Sequence, residues 1–236
     1  MKTLNQYIKE RLIINQRFDE KLIINQRFDE KLIINKNYSG INIVSPRTFD
    51  ELKEIIDDRD DKLGPGTKEN PIDFNDIDVS HIRSFCNNVG NGGIFDNTFF
   101  KYIDISGWDV SNVTNMSCMF FGCEGLKSVG DISGWDVSKV TNMASMFCDC
   151  CSLNQDLSDW DVSSVTNMAR MFNDCESFNQ NISNWNVSSV HDMTGMFWGC
   201  KSFNQDLSGW NVSNVTDASD IFYNCPIKNE YKPKFK

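Results

Sequence analysis

The chain repeats itself about every 25 residues, and that period restricts its fold more than any other feature. Five of its six tryptophans, Trp108, Trp135, Trp160, Trp185 and Trp210, follow one another at steps of 27, 25, 25 and 25 residues. Cys123, Cys150, Cys175, Cys200 and Cys225 keep the same steps. A fixed period of about 20–50 residues signals a repeat architecture, because one such unit cannot bury its apolar face alone and stacking must supply the core.

Five units start at Asp104, Asp131, Asp156, Asn181 and Asp206, and the first carries two extra residues around Val129 and Gly130. Met193, Met196, Phe197 and Cys200 fall at i, i+3, i+4 and i+7, which predicts a helix of about two turns. The same face recurs at Met116/Met119/Phe120/Cys123, Met143/Met146/Phe147/Cys150 and Met168/Met171/Phe172/Cys175, and becomes Ala218/Ile221/Phe222/Cys225 in the last unit. Thr114, Thr141, Thr166 and Thr216 stand where an N-cap would accept from the free N–H groups, with His191 in that place in the fourth unit. Residues 153–157, 178–182 and 203–207 suit short strands, which would stack one per unit into a parallel sheet with rungs about 4.8 Å apart. Asn154, Asn179 and Asn204 would then satisfy backbone groups in the turns. The expected fold class is an α/β repeat solenoid: a leucine-rich-repeat-like stack of units with a short parallel strand and a short helix each, behind an N-terminal α/β cap.

The chain divides into a leader (1–40), a cap with a degenerate first repeat (41–103), the five-unit body (104–225) and a C-terminal tail (226–236). The leader holds a decapeptide at 12–21, an identical copy at 22–31, and the start of a third. Its apolar residues Leu12, Ile13, Ile14, Phe18, Leu22, Ile23, Ile24 and Phe28 are candidates for docking, since linked weak sites gain avidity. In the cap, Thr48 and Glu51 form a capping-box pattern ahead of Phe49, Leu52, Ile55 and Ile56, and Gly64-Pro65-Gly66 ends that helix. Asp78-Val79-Ser80 echoes Asp109-Val110-Ser111 of the body. The tail is short and basic and reads as a frayed end.

The net charge of −10 is uneven: residues 101–225 hold 5 Lys/Arg against 15 Asp/Glu, whereas residues 1–40 hold 8 against 5. An acidic body argues against nucleic acid, which needs a basic face. A membrane span needs about 20 consecutive apolar residues, and no stretch approaches that. The N-terminus lacks the apolar core of a secretion signal, which favours a cytoplasmic or virion-associated location. The odd number of nine cysteines, five of them in equivalent positions, reads as reduced thiols serving as small hydrophobes. His81 and His191 sit at polar surface positions, and Cys118, Cys123, Cys148, Cys150 and Cys151 read as core members, so no catalytic set, metal or cofactor is expected.

Two surface features remain. Asp104, Asp131, Asp156 and Asp206 align in one column, and Asp109, Asp136 and Asp161 in another; such a column is ordinarily a solvated face, but stacked carboxylates repel, which favours pairing with cations or with a basic partner. Trp198, outside the tryptophan ladder, occupies a position that is Phe121, Cys148, Asn173 and Tyr223 in the other units, and an exposed tryptophan is a candidate binding hot spot.

The pattern Met-Phe-x-x-Cys-x-x-(Leu/Phe), then Asp-(Ile/Leu)-Ser-x-Trp-Asp-Val-Ser-x-Val-Thr-Asn-Met, resembles the BspA-like leucine-rich-repeat surface protein family, with its Mycoplasma-lipoprotein-type repeat of unknown function. The leader is similar to leaders of proteins from gut Bacteroides and their crAss-like phages. The resemblance implies a leucine-rich-repeat-like solenoid used for adhesion or protein binding, and a cell-surface location. The expected function is therefore a monomeric, non-enzymatic interaction solenoid for a protein or glycan partner. The alternative is a phage-encoded structural, cargo or host-modulating protein whose repeated leader is the docking element.

Overall fold

A computed structural model of the chain describes residues 34–35, 43–87 and 92–235. The repeated decapeptide, with the leader residues named as docking candidates, lies outside the described residues. Regular structure is sparse. Strands β1 (Ile34–Asn35) and β2 (Ile43–Val44) pair antiparallel, and β3 (Ile72–Asp73) and β4 (Ile103–Asp104) pair parallel. Between the two pairs runs one α-helix, α1 (Phe49–Leu63).

Helix α1 starts where its sequence dictates. Thr48 accepts from the Glu51 N–H at 3.2 Å, while the Glu51 carboxylate accepts from the Arg47 N–H at 2.7 Å. Leu52, Ile55 and Ile56 are buried. Arg59 is buried beside them and donates to both carboxylate oxygens of Asp76, at 2.8 and 2.6 Å, and to the Asp73 carbonyl at 2.7 Å. A two-pronged pair of this kind is among the stronger polar contacts and ties the helix to the first turn of the stack.

Beyond the cap, every unit is held to the next by the same backbone bonds. Met143, Ser145, Phe147 and Asp149 donate their N–H groups to Asn167, Ala169, Met171 and Asn173 of the following unit, at 2.8–3.0 Å. The intervening N–H groups stay inside the unit: Met146 donates to Met143, Cys148 to Ser145 and Cys150 to Phe147. This alternation recurs in the units either side. A column of single parallel bridges, Ser84, Asn115, Asn142, Asn167, Asp192 and Asp217, marks the line along which it runs.

The predicted two-turn helix is absent, and the backbone shows why. Each unit places two residues in the left-handed region four positions apart: Cys118 and Gly122, Ser145 and Asp149, Arg170 and Asp174, Gly195 and Gly199, Asp220 and Asn224. A right-handed helix cannot pass through such residues, so the segment becomes a chain of reverse turns closed by i to i+3 bonds. The threonines are not helix caps either. Thr141, Thr166 and Thr216 donate both their N–H and their hydroxyl to the carbonyl of the same column one unit earlier. The predicted strands at 153–157, 178–182 and 203–207 are likewise absent. There the N–H of Asn179 donates to the Asn154 side-chain oxygen, and that of Asn204 to Asn179, so amide side chains replace the main-chain ladder.

The inward columns form the core. Phe95, Phe120, Phe147, Phe172, Phe197 and Phe222 stack face to face, centroids 5.2–5.8 Å apart with planes within 13°. The methionine and valine columns pack beside them, all of Met116 to Met196 buried. The tail, expected to fray, instead closes the end: Ile227 is buried, Phe235 packs on the core, Leu207 donates to the Tyr231 carbonyl at 2.8 Å, and the Lys232 ammonium lies over the Phe222 ring. Terminal units of a stack need such covers because their apolar face has no neighbour.

One polar atom breaks the pattern. The indole N–H groups of Trp160, Trp185 and Trp210 donate to Ile132, Leu157 and Ile182 of the preceding unit at 3.0–3.2 Å. The Trp135 indole N–H is the one buried side-chain nitrogen or oxygen without a partner among the described residues. It follows the two extra residues of the first unit, where Gly130 adopts φ +83 over Asp104. Trp160→Phe is therefore expected to cost about 1 kcal/mol more than Trp135→Phe in denaturant titration, since only the former removes a made bond. Phe172→Ala, in the middle of the ring column, is expected to cost about 3–5 kcal/mol by the same measurement.

Candidate interaction surface

The turn segment of each unit points every few residues outward, and those positions stack into columns. The interior columns hold one residue type: Met, Met, Phe and Cys. The outward columns do not. They read Cys118, Ser145, Arg170, Gly195, Asp220, and Phe121, Cys148, Asn173, Trp198, Tyr223, and Glu124, Cys151, Glu176, Lys201; Cys118, Cys148 and Gly195 are buried and the others are partly or fully exposed. Two members stand out: half-buried Trp198 and 51 % exposed Tyr223, whose rings lie 4.3 Å apart at 37°.

The left-handed positions border the same columns and bring carboxylates beside the rings. Asp174 donates its N–H to the Trp198 carbonyl at 2.7 Å. Its carboxylate oxygen lies so close over Gly199 that a Cβ there would sit 2.0 Å from it, so a side chain at that position would displace the carboxylate. Burial, with the neighbouring charges of Asp149 and Glu176, pushes the Asp174 carboxyl above its usual range. Lys201 opposes that effect and pairs with Glu176.

The predicted site aspartates are placed differently. Asp131, Asp156 and Asp206 each accept, through Oδ1, the N–H of the serine two residues on, at 2.9–3.2 Å, and Asp104 does the same for Ser106. Asp109, Asp136 and Asp161 hold Ser111, Ser138 and Ser163 alike. Asn181, Asn186 and Asn211 do this work in the units that lack aspartate, so the columns build turns by side-chain capping. Asn115, Asn142, Asn167, Asp192 and Asp217 form a third such column at the start of the turn segment. Of the predicted candidates, Trp198 alone lies on the varied columns. Sequence reasoning missed the left-handed column Gly122, Asp149, Asp174, Gly199, Asn224, whose run of Gly, Asp and Asn was the available signal.

The cysteine column is structural. Cys123, Cys150, Cys175 and Cys200 donate their Sγ–H to the carbonyls of Phe95, Phe120, Phe147 and Phe172 one unit back, at 2.9–3.1 Å. All nine cysteines are thiols. Burial pushes Cys118 and Cys123 up to about 11 and Cys148 up to about 12, and also holds Cys150 and Cys175 well above the ordinary thiol value. Among the described residues no group of three or more His, Cys, Asp or Glu side chains is placed to hold a metal, and no helix is long and apolar enough to cross a membrane.

Three outcomes follow from these contacts. Asn142→Ala removes the acceptor for the Ala144 N–H and is expected to cost about 1 kcal/mol in denaturant titration. Serine N–H and O–H donors hold the Asp136, Asp156 and Asp206 carboxyls below their ordinary 3.8, so their contribution is present above that pH and is lost as the pH falls through the lower folded values. The triple Asp→Asn variant should accordingly lose less melting temperature than the parent on acidification. Alkylation at mildly alkaline pH should be slow for the buried column in the native chain and should reach all nine thiols in denaturant.

No curated protein and no solved structure matches the chain. A family described as "Mycoplasma protein of unknown function, DUF285" matches residues 72–160, 91–185 and 126–234. These overlapping matches begin at β3, take in the whole bridge column from Ser84 onward, and run to the tail that closes the stack. The chain belongs to this family, a Mycoplasma-type repeat family related to BspA-like surface proteins.

Proposed function

We propose that the chain is a non-enzymatic interaction protein: a solenoid-like stack of turn-built units whose varied outward columns bind a protein or glycan partner, as in adhesion. One observation carries this reading. The interior columns repeat the same residues from unit to unit, while the exposed members of the columns beside them change, among them Arg170, Asn173, Trp198, Lys201 and Tyr223. Residues that only maintain the stack have reason to repeat; a surface that recognises one shape has reason to vary along its length. The aspartate columns repeat nearly as faithfully as the core, in keeping with their work inside turns.

The reading is tested by screening the full chain on arrays of proteins and glycans. A variant combining Arg170→Ala, Asn173→Ala, Trp198→Ala and Tyr223→Ala is expected to lose the ligand found. The triple substitution of Asp136, Asp156 and Asp206 by Asn is expected to retain it. Equal binding by both variants overturns the assignment of the face, and no ligand from either class overturns the binding role.

A further inference from the structure

The last unit carries a row of main-chain donors that no further unit takes up. One unit earlier, Met193, Gly195, Phe197 and Gly199 give their N–H groups to the carbonyls of Asp217, Ser219, Ile221 and Tyr223 at 2.8–2.9 Å. The equivalent groups of the last unit are those of Ala218, Asp220, Phe222 and Asn224, and none of the four meets an acceptor among the described residues. Asp220 and Asn224 are exposed and keep the left-handed backbone, at φ 56 and 54, of the same positions in earlier units.

The tail closes only one side of this end. There Phe203, Leu207, Trp210 and Val212 are buried, and the Tyr231 carbonyl accepts the Leu207 N–H at 2.8 Å. On the other side Val215, Ala218, Phe222 and Cys225 stay half-buried, whereas their counterparts Val190, Met193, Phe197 and Cys200 are fully buried. An apolar strip therefore runs beside the donor row.

The make-up of the row restricts what it holds. The edge of a β-strand offers both an N–H and a C=O from each outward residue. Here the carbonyls of Ala218, Asp220 and Phe222 accept from Ile221, Tyr223 and Cys225 inside the unit's own turns, so the row offers donors. A strand laid on it would bring N–H groups against N–H groups. What fits is a segment with its free carbonyls all on one side, and the turn segment, with its alternating handedness, is built that way. A second copy of this chain has no such row to spare, because Phe85, Phe95 and Asn97 already donate to the carbonyls of Asn115, Met119 and Phe121 in its first unit.

We propose that the open edge at Ala218, Asp220, Phe222 and Asn224 docks a turn segment of the same build from another polypeptide, as a further rung of the stack. The four N–H groups take its carbonyls, and its inward side chains cover Val215, Ala218 and Phe222. The contact continues the interface that joins each unit to the next. It uses main chain at the end of the stack rather than the outward side chains, so it stands or falls apart from the binding role of those columns.

The test is a titration of the full chain followed by nuclear magnetic resonance at the backbone amide signals of Ala218, Asp220, Phe222 and Asn224. The probe is a peptide copying residues 165–174, whose carbonyls at Asn167, Ala169, Met171 and Asn173 accept such bonds within the stack. One control peptide carries Arg170→Pro and Asp174→Pro, which forbid the positive φ of those positions. The other is a strand-forming peptide of alternating threonine and valine. The probe is expected to shift the four signals saturably and to slow their hydrogen exchange, and neither control to do so. Ala218→Pro removes one donor and is expected to weaken binding about two- to tenfold at an unchanged melting temperature. An equal response to either control, no response to the probe, or an unchanged affinity in Ala218→Pro overturns the proposal. Shifts of the same signals on raising the chain's own concentration, without peptide, identify a second copy as the occupant and overturn the choice of partner. Should Ala218→Pro lower the melting temperature, the two control peptides decide.

Discussion

The alternation of N–H groups within each turn segment is the constraint from which the remainder follows. A group that points along the stack must meet a carbonyl of the next unit, and one that points across must close its own turn. Met143, Ser145, Phe147 and Asp149 do the first, and Met146, Cys148 and Cys150 the second. The arrangement satisfies buried backbone without helix or extended sheet, which is why so compact a core coexists with so little regular secondary structure. It also fixes the rise between units, and at that rise phenylalanine rings meet face to face.

Side chains extend the same economy. Wherever the backbone has a group left over, a short polar side chain one unit away or two residues on takes it up. Asparagines bridge successive units at 154, 179 and 204, threonine hydroxyls follow their own N–H to one carbonyl, and thiols of the cysteine column donate to the carbonyls beneath the phenylalanines. Cysteine fits because it is small enough for the crowded column and still carries a donor, a demand that alanine does not meet. Burial that raises these thiols keeps them protonated, as a donor must be.

Much of this was legible in the sequence, because a 25-residue period names the inward residues whatever the backbone does. The methionine, phenylalanine, tryptophan and cysteine columns are all inside, Thr48 caps α1, and the asparagine column satisfies backbone groups. Spacing does not report handedness. Met193, Met196, Phe197 and Cys200 share an inward face in a helix and equally in a run of turns, and the difference lies at Gly195 and Gly199 between them. The turn-building work of the aspartate columns was hidden for a related reason: charge is visible in a sequence, whereas an Asx turn shows only as a serine two residues on. The tail's basic residues concealed Ile227, Tyr231 and Phe235, which cover the last unit.

The two extra residues in the first unit change how one edge of the stack is joined. N-terminal to them, Ile103 and Ile105 donate main-chain bonds to Ser128 and Val129; C-terminal to them, amide side chains span the same edge of the stack. The indole that should clasp the two halves, that of Trp135, reaches no acceptor. In a linear array, where each unit touches only its neighbours, cooperativity passes through such junctions and is weakest where a clasp is missing. The main-chain bonds from Met116, Cys118, Phe120 and Gly122 still cross this junction, so what the extra residues remove is one side-chain clasp that every later pair of units keeps.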